Sequence, residues 1–449
     1  MDSTGEQTST ACHVVAMPYP GRGHINPMMN LCKLLASKKK DIVITFVVTE
    51  EWLGIIGFDP KPDNVRFETI PNVLPSERLR ATNFPGFYEA VMTKMEAPFE
   101  KLLDRLELPV TAIIGDIELR WITGVGNQRN IPVALLWTTS ASVFSMFHYL
   151  DLRIKQSHAK IDSIVEQAEK IVGISPSNVE QLRTIFYRDG QRVLELALDC
   201  ISRVPQAQCL LFTSVYEFEP QVFDSLRATY DFPVYTIGPA IPYLELRQGS
   251  CQNKSYLQWL DSQQPGSVLY ISLGSFLSVS STQTDEIVAG LHMTGVRYLW
   301  VARGEASRLK ERCGDMGLVV AWCDQLKVLC HPSIGGFWTH CGWNSILEAV
   351  FAGVPMLTFP LVFDQDTNSR QIVEDWGNGW RVNSENLVTR ENVAQLVRRL
   401  MDAESNEGKK IRRAAKQLQD KCLAAISESG SSAANLDAFI NSISPGKKQ

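Results

Sequence analysis

The chain has 449 residues, 45% of them hydrophobic and 21% charged, with a net charge of −5 and no long basic tract. That length exceeds one ordinary core and predicts two domains of about 200 residues each, and the charge balance argues against nucleic acid or an anionic membrane as partner. Ten cysteines without a C-x-x-C pair argue against a disulfide framework or a zinc site, while the polar start "MDSTGEQTST" and the lack of any apolar run of about 18 residues predict a cytoplasmic protein with no stable membrane insertion.

The first element is "HVVAMP" (13–18), a continuous apolar run of the kind that forms a strand buried on both faces. A glycine-rich loop, "PGRGH", follows it, then a helix over about 27–38. Further strands are predicted at 41–49, 110–116 and 131–137, with helical patterns between them. Residues 140–203 are mostly helical in pattern and carry Phe144, Phe147, His148 and Tyr149. The Pro, Gly and polar stretch at 234–255 marks a boundary. Strands then resume at 267–275, 298–303, 317–322, 333–340 and 355–360, again alternating with helices, and a Lys, Ala, Leu and Glu-rich helical segment begins near 405. The fold class is therefore α/β, with two doubly wound Rossmann-like domains facing across a cleft. They are expected at 1–240 and 256–430, joined by a linker at 241–255 and followed by a tail at 431–449 that can pack on the first domain. Ligands of such sheets bind beyond the carboxyl ends of the strands, which points to the cleft.

The stretch "HCGWNSILEAVFAGVP" (340–355) runs from a strand end through small polar residues into a helix. The unpaired N–H groups of that helix start favour an anion. Asn344 and Ser345 add donors and His340 closes the strand, although a simple N-cap and a structural histidine would account for each residue alone. Glu348 lies one turn after Asn344, on the same face, where it could accept from ribose hydroxyls. Trp322 ends a strand shortly before Gln325 and could stack on a base or belong to the core. Asp364 and Gln365 follow another strand end, where a carboxylate beside an amide suits vicinal hydroxyls. In the first half, His24 ends "PGRGH" with the pKa range of a general base. The loop lacks the Gly-Lys-Ser/Thr ending of a P-loop and the G-x-G-x-x-G of a nicotinamide enzyme. Asp116 ends the strand "AIIGD" and could orient such a base, with a helix cap as its ordinary role and Glu118 as its nearest competitor.

The run from Trp322 to Gln365, "WCDQLKVLCHPSIGGFWTHCGWNSILEAVFAGVPMLTFPLVFDQ", resembles the signature box of plant small-molecule UDP-glycosyltransferases. "PYPGRGHINPMM" and "LQWLDSQQPGSVLYISLGS" are similar to the same family, so the resemblance spans nearly the whole chain. It implies the GT-B architecture and an inverting, metal-independent transfer of glucose from UDP-glucose, a co-substrate rather than a cofactor. The product would be a β-glucoside on a hydroxyl (or carboxyl) of a small hydrophobic plant metabolite. Carried over by position, it places Trp322 on uracil, with Cys323 and Gln325 beside the nucleoside and Glu348 on ribose. His340, Asn344, Ser345 and Ser275 would hold the diphosphate, Trp343, Asp364 and Gln365 the sugar, and Thr138 its C6 hydroxyl. His24 would be the base and Asp116 its support, within a D-x-x-x-x-W arrangement completed by Trp121. Phe84, Phe87, Trp121, Phe144, Phe147 and His148 are candidates for an apolar acceptor pocket over the first domain, and a monomer is expected. The chain departs from the family in Cys323-Asp324, where Ala-Pro is usual. A non-catalytic sugar-nucleotide sensor and the same chemistry with another UDP-sugar are the alternatives.

Overall fold

Two wholly parallel sheets organise the computed structural model, which describes residues 12–157, 191–246, 255–274, 280–302, 306–382 and 388–444. The first contains β1 (His13–Met17), β2 (Val43–Thr49), β3 (Val65–Ile70), β4 (Ala112–Asp116), β5 (Val133–Trp137), β6 (Cys209–Phe212) and β7 (Val234–Thr236) in the order β3-β2-β1-β4-β5-β6-β7. The second contains β8 (Val268–Ser272), β9 (Arg297–Val301), β10 (Gly317–Val320), β11 (Ile334–Thr339), β12 (Met356–Thr358) and β13 (Gly379–Arg381) in the order β10-β9-β8-β11-β12-β13. In each sheet the chain reverses its direction of winding once, between β1 and β4 and between β8 and β11, and a doubly wound sheet opens a crevice at such a point.

The central strands read as unbroken apolar runs because helices cover both faces. Along β1, Val15 and Met17 join one core layer while Val14 and Ala16 join the other, and all four are buried. Strands β3, β6, β7 and β13 were not evident in the sequence. Edge strand β3 is only partly buried, and β7 and β13 have three residues each, too few to show a period.

The first helix begins at Arg22, not near Pro27 as expected, and runs to Lys38 with Pro27 inside it. Pro27 has no N–H to donate to the carbonyl four residues back, so it removes one helical bond yet leaves the first turn intact. His24 thus lies on a rigid first turn instead of a loop.

The helix Asn406–Ala425 packs on the second domain through Leu418 and Cys422. The last described helix, Ser431–Ile443, crosses to the first sheet, where Leu436, Phe439 and Ile443 enter the layer beneath β1 and β2. Asn435 donates to Thr236 Oγ1 at 3.0 Å, and Lys38 pairs with Asp437 at 2.7 Å. Phe439→Ala should destabilise the first domain by about 3 kcal/mol through the cavity it leaves. Urea unfolding followed by the tryptophan signal checks this, with UDP affinity at the second domain unchanged.

Candidate functional site

The carboxyl ends of the two sheets enclose a cavity of about 260 Å³. The first domain contributes Tyr19 and His24 after β1, Glu118 after β4 and Thr139 after β5, with Phe84, Met146 and Phe147 from neighbouring helices. The second contributes Gly274 after β8, His340 after β11 and the loop Leu361 to Gln365 after β12.

His24 is set by the first helical turn and by β4. Its Nδ1 lies 2.8 Å from Asp116 Oδ2 and 3.2 Å from Thr138 Oγ1. An ionised carboxylate only accepts, so Nδ1 carries the proton and Nε2 of the neutral ring is the acceptor. Asp116 is buried, and its Oδ1 accepts from the Glu118 N–H at 3.0 Å. Burial pulls the His24 pKa down, but the charge and hydrogen bond of Asp116 outweigh it and hold the imidazole at about 9. Because that folded value is above the ordinary 6.5, the pair's stabilisation is complete below about pH 6.5 and is lost as pH rises through about 9.

The Gly23 carbonyl, which Pro27 cannot serve, accepts from Asn344 Nδ2 of the second domain at 2.9 Å. Asn344 lies in the first turn of the helix Trp343–Ala352, whose N-terminus follows β11. The helix carrying His24 and the helix that starts after β11 are therefore joined by one hydrogen bond. Across the same cleft, Ser140 Oγ donates to Asn368 Oδ1 at 3.3 Å.

In the second domain Gln325 is the hub of a polar network. It donates to Ser345 Oγ at 3.0 Å and to Glu348 Oε2 at 2.8 Å, and accepts from the Tyr270 hydroxyl at 3.0 Å. Burial raises the Glu348 carboxyl to about 7. Burial lowers His340 to about 4, so its ring is neutral and offers hydrogen bonds rather than charge. Gly274 and Gly342 flank that ring so closely that a Cβ on either would collide with it, which is why both positions are glycine. Asp364 accepts from Asn368 Nδ2 at 2.7 Å, and Gln365 Oε1 accepts the N–H groups of Leu361 and Val362 at 2.8 and 3.1 Å. The Gln365 NH2 is then the group left to reach a ligand. Trp322, beyond the end of β10, is 52% exposed, as a stacking surface must be.

The chain matches the family model "UDP-glucoronosyl and UDP-glucosyl transferase" over residues 230–421. It is 50% identical over 451 residues to UDP-glycosyltransferase 87A2 of Arabidopsis thaliana, with 99% of both chains covered. The chain belongs to the plant UDP-glycosyltransferases. It is also 32% identical to a 7-deoxyloganetin glucosyltransferase of Catharanthus roseus, covering 95% of this chain and 96% of that protein. Among solved structures, Phytolacca americana UGT2 in complex with UDP-2fluoro-glucose and pterostilbene superposes with a TM-score of 0.79 at 27% identity, covering 97% of this chain and all of the other. The protein is thus a UDP-dependent glycosyltransferase of GT-B architecture.

Several side chains of this UDP-glycosyltransferase do not face the cavity as its sequence led us to expect. The Trp343 indole is buried in the second-domain core against Trp376, so only its main chain belongs to the helix start. The Cys323 thiol is likewise buried, 3.4 Å from the Tyr270 hydroxyl. Its neighbour Asp324 caps the helix Gln325–Leu329, accepting from the Lys327 N–H at 3.4 Å. A helix start can be stabilised either by a proline or by such a cap, which accounts for the Cys-Asp departure. Thr138 is buried on the Nδ1 side of His24, and Thr139 lines the cavity in its place.

Of the aromatic candidates, Phe84 and Phe147 line the cavity. Phe87, Trp121, Phe144 and His148 do not: Phe87 packs beneath Tyr19, Trp121 donates to the Val91 carbonyl, and Phe144 lies between Phe212 and His148, itself bonded to Tyr230. A helix that buries one stripe and opens another cannot be phased from its aromatics alone. Ser275 lies outside the described residues, as do linker positions 247–254. Sequence reasoning missed Tyr19, although it sits inside "PYPGRGH", and Tyr88.

Asn344→Ala should cost no more than about 1 kcal/mol of stability, since water can reach the exposed Gly23 carbonyl once the amide is gone. In a Pro27→Ala background the new N–H can serve that carbonyl, and most of the cost should vanish. A double-mutant cycle in urea measures the coupling.

Proposed function

We propose that the protein transfers glucose from UDP-glucose to a hydroxyl (or carboxyl) of a small hydrophobic acceptor, inverting the anomeric centre to give a β-glucoside. The observation that carries this reading is the 2.8 Å His24–Asp116 pair at the wall of a largely apolar cavity that also reaches the second-domain strand ends. His24 Nε2 takes the acceptor proton as the oxygen attacks the anomeric carbon. Asp116 stabilises the imidazolium that forms, as in the orienting logic of a serine-protease triad.

The leaving UDP departs toward the N-terminus of the helix Trp343–Ala352, where backbone N–H groups and the Asn344 and Ser345 side chains can take up its growing charge. Trp322 is suited to the base and Glu348 to the ribose. Asp364 and the Gln365 amide are suited to the sugar hydroxyls, since both line the cavity near His24. Attack opposite a leaving group inverts the centre, so an α-linked donor yields the β product. The names of the Catharanthus roseus enzyme and of the Phytolacca americana complex support a glucose donor and an apolar acceptor.

Product analysis by mass spectrometry with UDP-glucose and a panel of phenols and terpenoid alcohols tests the activity. His24→Ala should lower kcat by about 10³-fold with UDP affinity by calorimetry unchanged, and normal turnover in this variant would refute the assignment. Because the base must be neutral, kcat/KM should rise with pH through about 9. Asp116→Asn should move that limb to or below about 6.5, the ordinary imidazole value, and depress the plateau.

A further inference from the structure

The proposed mechanism uses His24 and Asp116 but leaves other polar groups of the same cavity unemployed. Tyr19 is 2% exposed, lines the cavity, and its hydroxyl has no hydrogen-bond partner among the described residues. A buried hydroxyl left unpaired costs free energy that a ligand can recover. Its ring lies 4.9 Å from that of His24 and 5.8 Å from that of Tyr88, so the phenol sits beside the base. Glu118 lines the same end of the cavity, two residues beyond Asp116, and interacts electrostatically with Tyr19, Tyr88 and His24. No hydrogen bond joins Tyr19 and Glu118, although the phenol could donate and the carboxylate accept. Apolar groups form a facing wall, with Phe84 meeting Phe363 across the cleft at 5.0 Å beside Met146 and Phe147, and Arg80 lines the same cavity and interacts electrostatically with Glu118 and Tyr19.

We propose that Tyr19 and Glu118 form a subsite for a second hydroxyl of the acceptor, so that the enzyme selects apolar diols or diphenols over mono-alcohols. The proposal rests on the glycosyl-transfer reading above and names the acceptor class for that site. One hydroxyl satisfies both groups, since its oxygen accepts from Tyr19 and its proton goes to Glu118. A methyl ether in its place can accept from Tyr19 but leaves the carboxylate unpaired, and a site built to bind an O–H discriminates strongly against an analogue lacking it.

The test uses the full-length enzyme with UDP-glucose, a set of dihydroxynaphthalene isomers and the mono-methyl ether of each. At least one diol should exceed its own mono-methyl ether by about tenfold in kcat/KM. In Tyr19→Phe and in Glu118→Gln, each checked for an unchanged melting temperature and UDP affinity, that preference should collapse toward unity. Transfer that treats diols and ethers alike, or a preference that survives in both variants, overturns this subsite and leaves the glycosyl-transfer reading standing. Failure to glycosylate any acceptor, with UDP-glucose bound, overturns both.

Discussion

Pro27 withholds one hydrogen bond from the helix that carries His24, and the carbonyl it strands at Gly23 is where the second domain takes hold. The transfer proposed above needs a base on one domain kept in register with a leaving group on the other. Side chains that merely meet across a cleft tolerate sliding, whereas a main-chain acceptor in a helical turn does not. The Asn344–Gly23 bond, exposed at the cleft, therefore ties together two helix N-termini, one holding the imidazole and one at the proposed diphosphate site. The Ser140–Asn368 contact braces the same cleft further along, and Asn368 also holds Asp364.

The electrostatics of the cavity are asymmetric. Asp116 and Glu118 of the first domain and Asp364 of the second gather around His24 and favour a cationic imidazole, while Arg80 lines the same cavity. On the second-domain side His340 is buried and neutral, wedged between two glycines. A diphosphate placed there, as proposed above, would be bound by directed N–H groups and a helix start rather than by net charge.

The site was legible in the sequence wherever chemistry depends on consecutive residues. "HCGWNS" predicts a strand feeding a helix N-terminus because glycines, a histidine and small polar groups have few other uses in that order. "AIIGD" places a carboxylate at a strand end, and the parallel register sets Met17 of β1 opposite Gly115, one residue before Asp116. Elements without a period were not legible, as the three-residue strands β7 and β13 show. Nor was the direction of individual aromatic side chains: Trp343, Trp121 and Phe144 lie in sequence positions compatible with the site, and packing turned each of them into the core.

The sequence by itself determined the two parallel sheets, the family and the chemical types gathered at the strand ends, because apolar runs, turn residues and motif spacing are local properties of the chain. Only the tertiary structure decided which residues meet. It brought Gly23 and Asn344, 321 positions apart, to 2.9 Å. It seated the Ser431–Ile443 helix on the first sheet, and it left the Tyr19 hydroxyl unpaired beside Glu118 in the cavity. These are contacts between distant segments, whose partners are selected by the packing of whole domains and not by any neighbour in the chain.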